Sequence, residues 1–220
     1  MTIEDTLSTR VAQIHSEAVR LALAAMPSVA TYIVLVTIGG VFVDQSEDFA
    51  LANLGLSIAS LVLGYWVVIS MLRDGGLAPH GLAAGFGAYF GLSFLSGVGT
   101  LLGLLALVVP GLVLLIRWAP LFGYGLIDGG GVSEAFSKSW RSTDGHLAPI
   151  AMAMVTPLML YAGALGVYFF ATDELGRVAM VPAIAANLAM ALAGAAMIAI
   201  GIAVYSLVRD ATGELTEVFE

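Results

Sequence analysis

The sequence predicts an all-α fold of the polytopic membrane class. The expected form is a bundle of six transmembrane helices, with an N-terminal amphipathic helix and a short cytoplasmic interfacial helix between spans 4 and 5. Three observations predict it. Of the 220 residues, 60% are hydrophobic and only 11% charged, with a mean hydropathy of +0.98; a soluble domain carries about 45–50% apolar and about 25% charged residues. Several uncharged runs reach the roughly 20 residues that cross a bilayer core of about 30 Å. The Lys and Arg residues, finally, sort to one side of the spans those runs define.

Residues 3–21 place Ile3, Leu7, Val11, Ile14, Ala18 and Leu21 at steps of three and four, with Glu4, Arg10, Gln13 and Glu17 off that face. This is the period of an amphipathic helix lying in the interface. The first span follows from Leu21 to Val43, with Pro27 near its start, and the second from Phe49 to Leu72 after the loop DQSED. A glycine-rich turn, RDGGLAPHG, leads to a third span from Leu82 to Val109, and Pro110-Gly111 reads as a tight turn. The fourth span, Gly111 to Ile127, is 17 residues long, or about 25 Å as a straight helix. Pro120 removes a backbone donor within it, so Pro110, Gly111 and Pro120 mark the break. Fifth and sixth spans cover Leu147 to Ala171 and Val181 to Val208.

Six spans put both termini on one side. Arg10, Arg20, Arg73, Lys138, Arg141 and Arg209 then share that side, Arg177 falls on the other, and Arg117 is embedded. The excess makes the termini cytoplasmic. The chain divides into an interfacial segment over 1–20, a transmembrane domain over 21–208 and an acidic cytoplasmic tail over 209–220. No repeat of fixed period is visible, and no second broken segment matches the fourth span, as inverted-repeat transporters usually show.

Within "VVPGLVLLIRWAP" (Val108 to Pro120), Arg117 lies near mid-bilayer if the helix is regular. An exposed charge there costs at least about 2.5–3.5 kcal/mol, so it should face the bundle interior or water. With no carboxylate inside a span, its expected acceptors are carbonyls freed near Pro120, hydroxyls or a lipid phosphate. The polar stretch DGGGVSEAFSKSWRSTDGH predicts a short helix from Val132 to Ser142, with Ser133 as N-cap, Glu134 at its positive end and Gly145 just past its finish. Val132, Phe136 and Trp140 share one face. Phe136 and Trp140 are candidate interfacial anchors, and Arg117, Lys138 and Arg141 candidate contacts for an anionic head group. The bland alternative is a connector that returns the chain to the bilayer.

Other function classes are excluded or disfavoured. A net charge of −8 and no Lys/Arg cluster argue against nucleic acid, and the absence of cysteine rules out disulfides and thiolate metal sites. The acidic, polar start MTIEDTLSTR does not read as a cleavable signal peptide. His15, His80 and His146 come from three segments without metal-ligand spacing and are expected as solvated loop residues. All sixteen carboxylates are read in loops, turns or tails, so no acid–base pair is foreseen, and neither an enzyme nor a cofactor is expected. Small residues four apart, Gly81–Gly85, Gly87–Gly91, Gly99–Gly103 and Ala185–Ala189–Ala193, suit close helix approach, within the chain or between copies.

The run from Val108 to Ile150, carrying Pro110, Gly111, Pro120, Gly131, Ala135, Ser139, Trp140 and Arg141, resembles the YciC-type bacterial inner-membrane proteins. It also resembles the membrane domain attached to some glycerophosphodiester phosphodiesterases. The resemblance covers about 40 residues and implies a six-helix bacterial inner-membrane protein without lending an activity. The expected role is non-enzymatic: membrane-organising, lipid-contacting or partner-binding, with anionic lipids, a second copy or another membrane protein as partners. The alternatives are a small transporter or channel for a neutral or lipid-like solute, and an accessory membrane subunit of a lipid-processing enzyme.

Overall fold

A computed structural model of the chain describes the backbone of residues 6–172 and 178–219, and side chains to residue 209. Ile3 of the expected amphipathic face, Arg177 of the outer loop and the side chains of the acidic tail after Arg209 lie outside the described residues. Helices dominate, in the order α1 Leu7–Ala24, α2 Met26–Asp44, α3 Phe49–Asp74, α4 Phe86–Ala106, α5 Val108–Arg117, α6 Leu121–Gly123, α7 Val132–Ser142, α8 Leu147–Ala171 and α9 Met180–Phe219. A π-helical turn, Tyr124–Asp128, continues α6. Among the described residues there is no strand, only an isolated bridge between Thr172 and Val178. Five helices are long and apolar enough to cross a membrane, or six if the pair Val108–Arg117 and Leu121–Asp128, bent by 42°, counts as one span.

Two boundaries differ from the sequence reading for local reasons. The amphipathic helix runs on to Ala24 and breaks at Ala25, with Pro27 in the first turn of α2, where a missing N–H costs nothing. The expected turn at Pro110-Gly111 instead lies at Leu107, a single extended residue (φ −162°, ψ 140°) between α4 and α5. Pro110 is the third residue of α5, where its amide would have had no helical partner. Gly111 is buried against Leu104, and a Cβ there would overlap it. That glycine serves helix contact, not a turn.

The chain forms two compact units. The first comprises residues 1–24, 71–153 and 199–220. Its core gathers Leu92, Leu121, Tyr124, Ala135 and Tyr205, with Trp118, Phe122, Val132 and Phe136 packed around them. Tyr124 meets Tyr205 edge-on at 5.0 Å. α4 and α5 form a hairpin in which Gly103 faces the Gly111 backbone. On its far side Leu101, Leu102, Leu105, Leu107, Val108 and Val109 are all exposed, a belt that only an apolar solvent would tolerate. Glu17 on α1 accepts from Arg20 and from Ser206 of α9. The Arg20 hydrogen bond holds its carboxyl below the usual range.

The second unit comprises residues 25–70 and 154–198. Its helices close on alanines: Ala164, Ala183, Ala186, Ala191, Ala193 and Ala195 are all buried. A Cβ at Gly194 would press on the hydroxyls of Tyr32 and Tyr161. The expected stripe Ala185–Ala189–Ala193 is half met, for Ala193 is buried but Ala185 is exposed. Among the glycines, Gly99 lies against Trp118 and Gly103 against α5, whereas Gly85 and Gly87 have no neighbour within 4 Å.

These contacts set an ordering for substitutions. A Cβ at Gly123 would enter the Tyr205 ring, so Gly123→Ala should destabilise by about 1–3 kcal/mol. Gly87→Ala, on an open helix face, should be neutral or stabilise by up to about 1 kcal/mol. Equilibrium unfolding in mixed micelles would measure both, and equal effects would refute the packing account.

Candidate functional site

The first unit builds two polar constellations around the broken fourth segment. The first is organised by Arg117, the last residue of α5. Its Nη1 donates to the Trp140 carbonyl at 3.0 Å, to Asp144 Oδ1 at 2.5 Å and more weakly to Thr143 Oγ1 at 3.4 Å. Its guanidinium lies 4.9 Å from the Trp140 ring centre, within cation–π range. In return, Ser139 Oγ donates to the Arg117 carbonyl at 2.7 Å. Only 13% of the Arg117 side chain is exposed, against 66% for Asp144. The cation is thus mostly covered and its carboxylate partner faces outward.

This corrects the expected surroundings of Arg117. The carbonyl it finds belongs to the last turn of α7, not to the stretch near Pro120, and a carboxylate does reach it, from the loop after α7. The C-terminal turn of a helix carries unpaired carbonyls and partial negative charge. Arg117 therefore caps α7 from outside. To do so, α7 runs back alongside the segment from Arg117 to Asp128, with Phe136 edge-on to Trp118 at 5.0 Å and Ala135 fully buried. Phe136 is a packing residue here, and Trp140, 41% exposed, is the ring of that face left open.

The start of α7 also departs from expectation. Its N-cap is Gly131, not Ser133, and no side chain caps it. Gly129, Gly130 and Gly131 all have φ between 71° and 87°, a left-handed path open to glycine without strain. A Cβ at Gly130 would collide with the Glu134 carboxylate. Glu134 in turn pairs with Lys138 at 2.9 Å, and this hydrogen bond raises the Lys138 pKa.

The second constellation is a cleft of about 390 Å³ lined by His80, Gly81, Ile127, Asp128, Lys138 and Arg209. Asp128 ends the π-helical turn and accepts from the Tyr205 hydroxyl at 2.8 Å. Arg209 donates to the Tyr205 oxygen and to the Leu77 carbonyl, both at 3.2 Å. The Leu126 carbonyl, left over at the helix end, takes the Ala83 amide at 2.8 Å, which ties the glycine-rich loop to the cleft rim. Three basic side chains and one carboxylate therefore face one concave space.

Of the predicted site residues, Lys138 enters this cleft, while Arg141 turns away and donates to Ser137. Arg117 belongs to the other constellation. Sequence reasoning missed Arg209, Tyr205 and Asp128. Their signal was present in Tyr205 and Arg209 at a spacing of four where the sixth apolar run ends. The histidines split: His80 lines the cleft, but His15 sits on α1 and hydrogen-bonds with the Ala153 carbonyl at 3.2 Å. The reading of the carboxylates in loops, turns or tails fails at Asp44, which closes α2, and at Asp128, which closes the π turn; Glu17 lies on the amphipathic helix, off its apolar face, as expected.

If Arg117 works chiefly as a cap on carbonyls, Arg117→Leu should cost about 1.5–3 kcal/mol. Asp144→Asn should cost under about 1 kcal/mol, because that end of the pair is solvent-screened. Unfolding of the two variants side by side decides it; equal losses would mean that the ion pair, not the capping, holds the segment.

Comparison of the chain with protein-family models, with curated proteins and with solved structures finds no match to any of them.

Proposed function

We propose that the chain is a non-enzymatic integral protein of a bacterial inner membrane, with six spans and both termini cytoplasmic. Its role is to organise membrane or partner through contact with anionic lipid. The bent pair α5 and α6 serves as the fourth span. The observation that carries the reading is the cleft that gathers His80, Lys138 and Arg209; the sequence reading assigns Arg73, Arg141 and the termini to the same side. Juxtamembrane Lys and Arg side chains such as Lys138 and Arg209 attract anionic head groups by about 1 kcal/mol each near the surface. Lys138 and Arg209 hold the phosphate, Trp140 seats the rim in the interface, and Arg141 flanks it. Arg117, committed to α7 and Asp144, braces the arrangement. The resemblance of Val108–Ile150 to YciC-type proteins supports the same placement.

The topology has a direct test because the chain contains no cysteine. A single cysteine at Ser46 should react with an impermeant maleimide on intact cells, and one at Gly145 only after permeabilisation. Labelling of both from one side would mean that the α5–α6 pair does not cross.

Native mass spectrometry of gently extracted protein tests the lipid contact. Wild type should retain phosphatidylglycerol or cardiolipin, and Lys138→Gln with Arg209→Gln should lose it at least tenfold. Arg117→Leu, compared at a temperature where it stays folded, should retain it. Equal retention in wild type and the double variant would overturn the assignment. The same spectra report subunit number and any bound protein partner.

A further inference from the structure

The second unit holds a polar cluster that the basic cleft does not explain. Between Met180 and Val204, α9 carries one amide, hydroxyl or charged side chain, Asn187, and it is 92% buried (8% exposed). Its Nδ2 donates to Asp44 Oδ2 at 2.7 Å and to the Ala183 carbonyl at 2.9 Å, and lies 2.9 Å from the Tyr168 oxygen. The Tyr168 hydroxyl donates to the same Asp44 oxygen at 2.8 Å. Gly40 makes room: a Cβ there would overlap the Asn187 amide. Two helices, α8 and α9, thus aim two neutral donors at one carboxylate oxygen at the end of α2. Asp44 Oδ1 has no hydrogen-bond partner among the described residues.

A cleft of about 410 Å³ opens on this carboxylate, lined by Asp44, Phe49, Asn53, Tyr168 and Asn187, with apolar wall from Leu56 and Met190. It lies where α2 ends, α3 begins, α8 has just ended and Val178 leads into α9. The charge around it is one-sided. Residues 25–70 and 154–198 carry five carboxylates and one cation, Arg177, which lies outside the described residues. Among the described residues this half-buried carboxylate is bonded to neutral donors alone, an arrangement that favours a cationic occupant.

We propose that this cleft binds a small organic ammonium group, with Asp44 as counter-charge and Phe49 and Tyr168 supplying ring surface to its wall. Carboxylate plus aromatic wall is the chemistry that holds ammonium ligands. A hard metal ion fits less well. It takes six or more oxygens, whereas no group of three metal-ligating residues occurs among the described residues, and the volume matches the lower range of small-molecule sites. The ammonium could be the head group of an aminophospholipid or a free amine. The inference uses residues other than those of the anionic-lipid site and does not rest on that reading.

The test uses the full chain in a neutral detergent and in nanodiscs. Ethanolamine hydrochloride and tetramethylammonium chloride are titrated against equal sodium chloride while the melting temperature is followed. In parallel, nanodiscs containing phosphatidylethanolamine and phosphatidylglycerol are probed for retained lipid by native mass spectrometry. Saturable stabilisation by the amine salts assigns a free amine. Selective retention of phosphatidylethanolamine without a response to the salts assigns the head group. In either case Asp44→Asn should weaken the response at least tenfold, while Lys138→Gln with Arg209→Gln leaves it unchanged. If Asp44→Asn does not fold, Phe49→Leu, which spares the hydrogen-bonded cluster, should weaken it at least threefold. No response in either arm, or wild-type binding in both Asp44→Asn and Phe49→Leu, overturns the proposal. So does a response that appears only in Arg177→Gln, since the chain's own guanidinium would then neutralise Asp44.

Discussion

Arg117 stands where the fourth apolar segment breaks, and there its carbonyl takes a hydroxyl from α7 while its side chain serves the end of α7. α5 stops at Arg117, and Pro120, at the start of α6, has no amide hydrogen to offer the carbonyls behind it. In an apolar surround each unpaired backbone group costs several kcal/mol. The solution is reciprocal: Ser139 on α7 gives its hydroxyl to the Arg117 carbonyl, and Arg117 gives its guanidinium to the Trp140 carbonyl. Each helix satisfies the other's terminus. That exchange requires α7 to run back along α6 and the π turn, which in turn buries Ala135 and brings Phe136 onto Trp118. Asp128 is left at the far end, where the Tyr205 hydroxyl donates to it and Arg209 donates in turn to the Tyr205 oxygen.

How much of this was legible in the sequence follows from what kind of constraint each feature obeys. A span is a one-dimensional requirement, enough consecutive apolar residues to cover the hydrocarbon, so α2, α3, α8 and α9 lie close to where hydropathy places them. The same holds for the face of α7, whose period puts Val132 and Phe136 together; what covers that face is a tertiary fact and is not written there. Turn chemistry misleads at Pro110-Gly111 because the pair has two uses. In water it marks a reversal, but in the first turn of a helix the proline is harmless and the glycine admits a neighbour. Ser133 is displaced as cap because three glycines in the left-handed region carry the chain into α7 two residues earlier. The pairing of Arg117 with Asp144, 27 residues on, leaves no local trace. Asn187 does leave one, as a lone amide in an apolar run, but an uncharged amide stands out from its neighbours far less than a cation such as Arg117 does.

The two units differ more in charge than in apolar character. Seven of the eight Lys and Arg residues belong to the first unit, and the eighth, Arg177, lies outside the described residues. In the proposed topology the inside-positive bias of membrane insertion accounts for the cations gathered there. It does not explain why a carboxylate in the second unit should be gripped by a tyrosine and an asparagine. Acidic residues contribute little to orientation, and Asp44 at the end of a span could have remained in water at no cost.

Instead, three separate concessions hold it. Asn187 gives up hydration inside an apolar helix, Tyr168 commits its hydroxyl, and Gly40 forgoes a side chain so that the amide can approach. A structural staple between helices would work as well with a neutral partner at position 44, and at lower cost, because an amide needs no counter-charge in a low-dielectric surround. Retaining the carboxylate, with one oxygen held by two neutral donors at the lining of a cleft that Phe49 and Tyr168 share, makes sense when a positive charge is to be received there. The two donors to Asp44 also fix the position of its side chain. They leave the negative charge pre-positioned for a visitor, and pre-positioning removes ordering cost from binding.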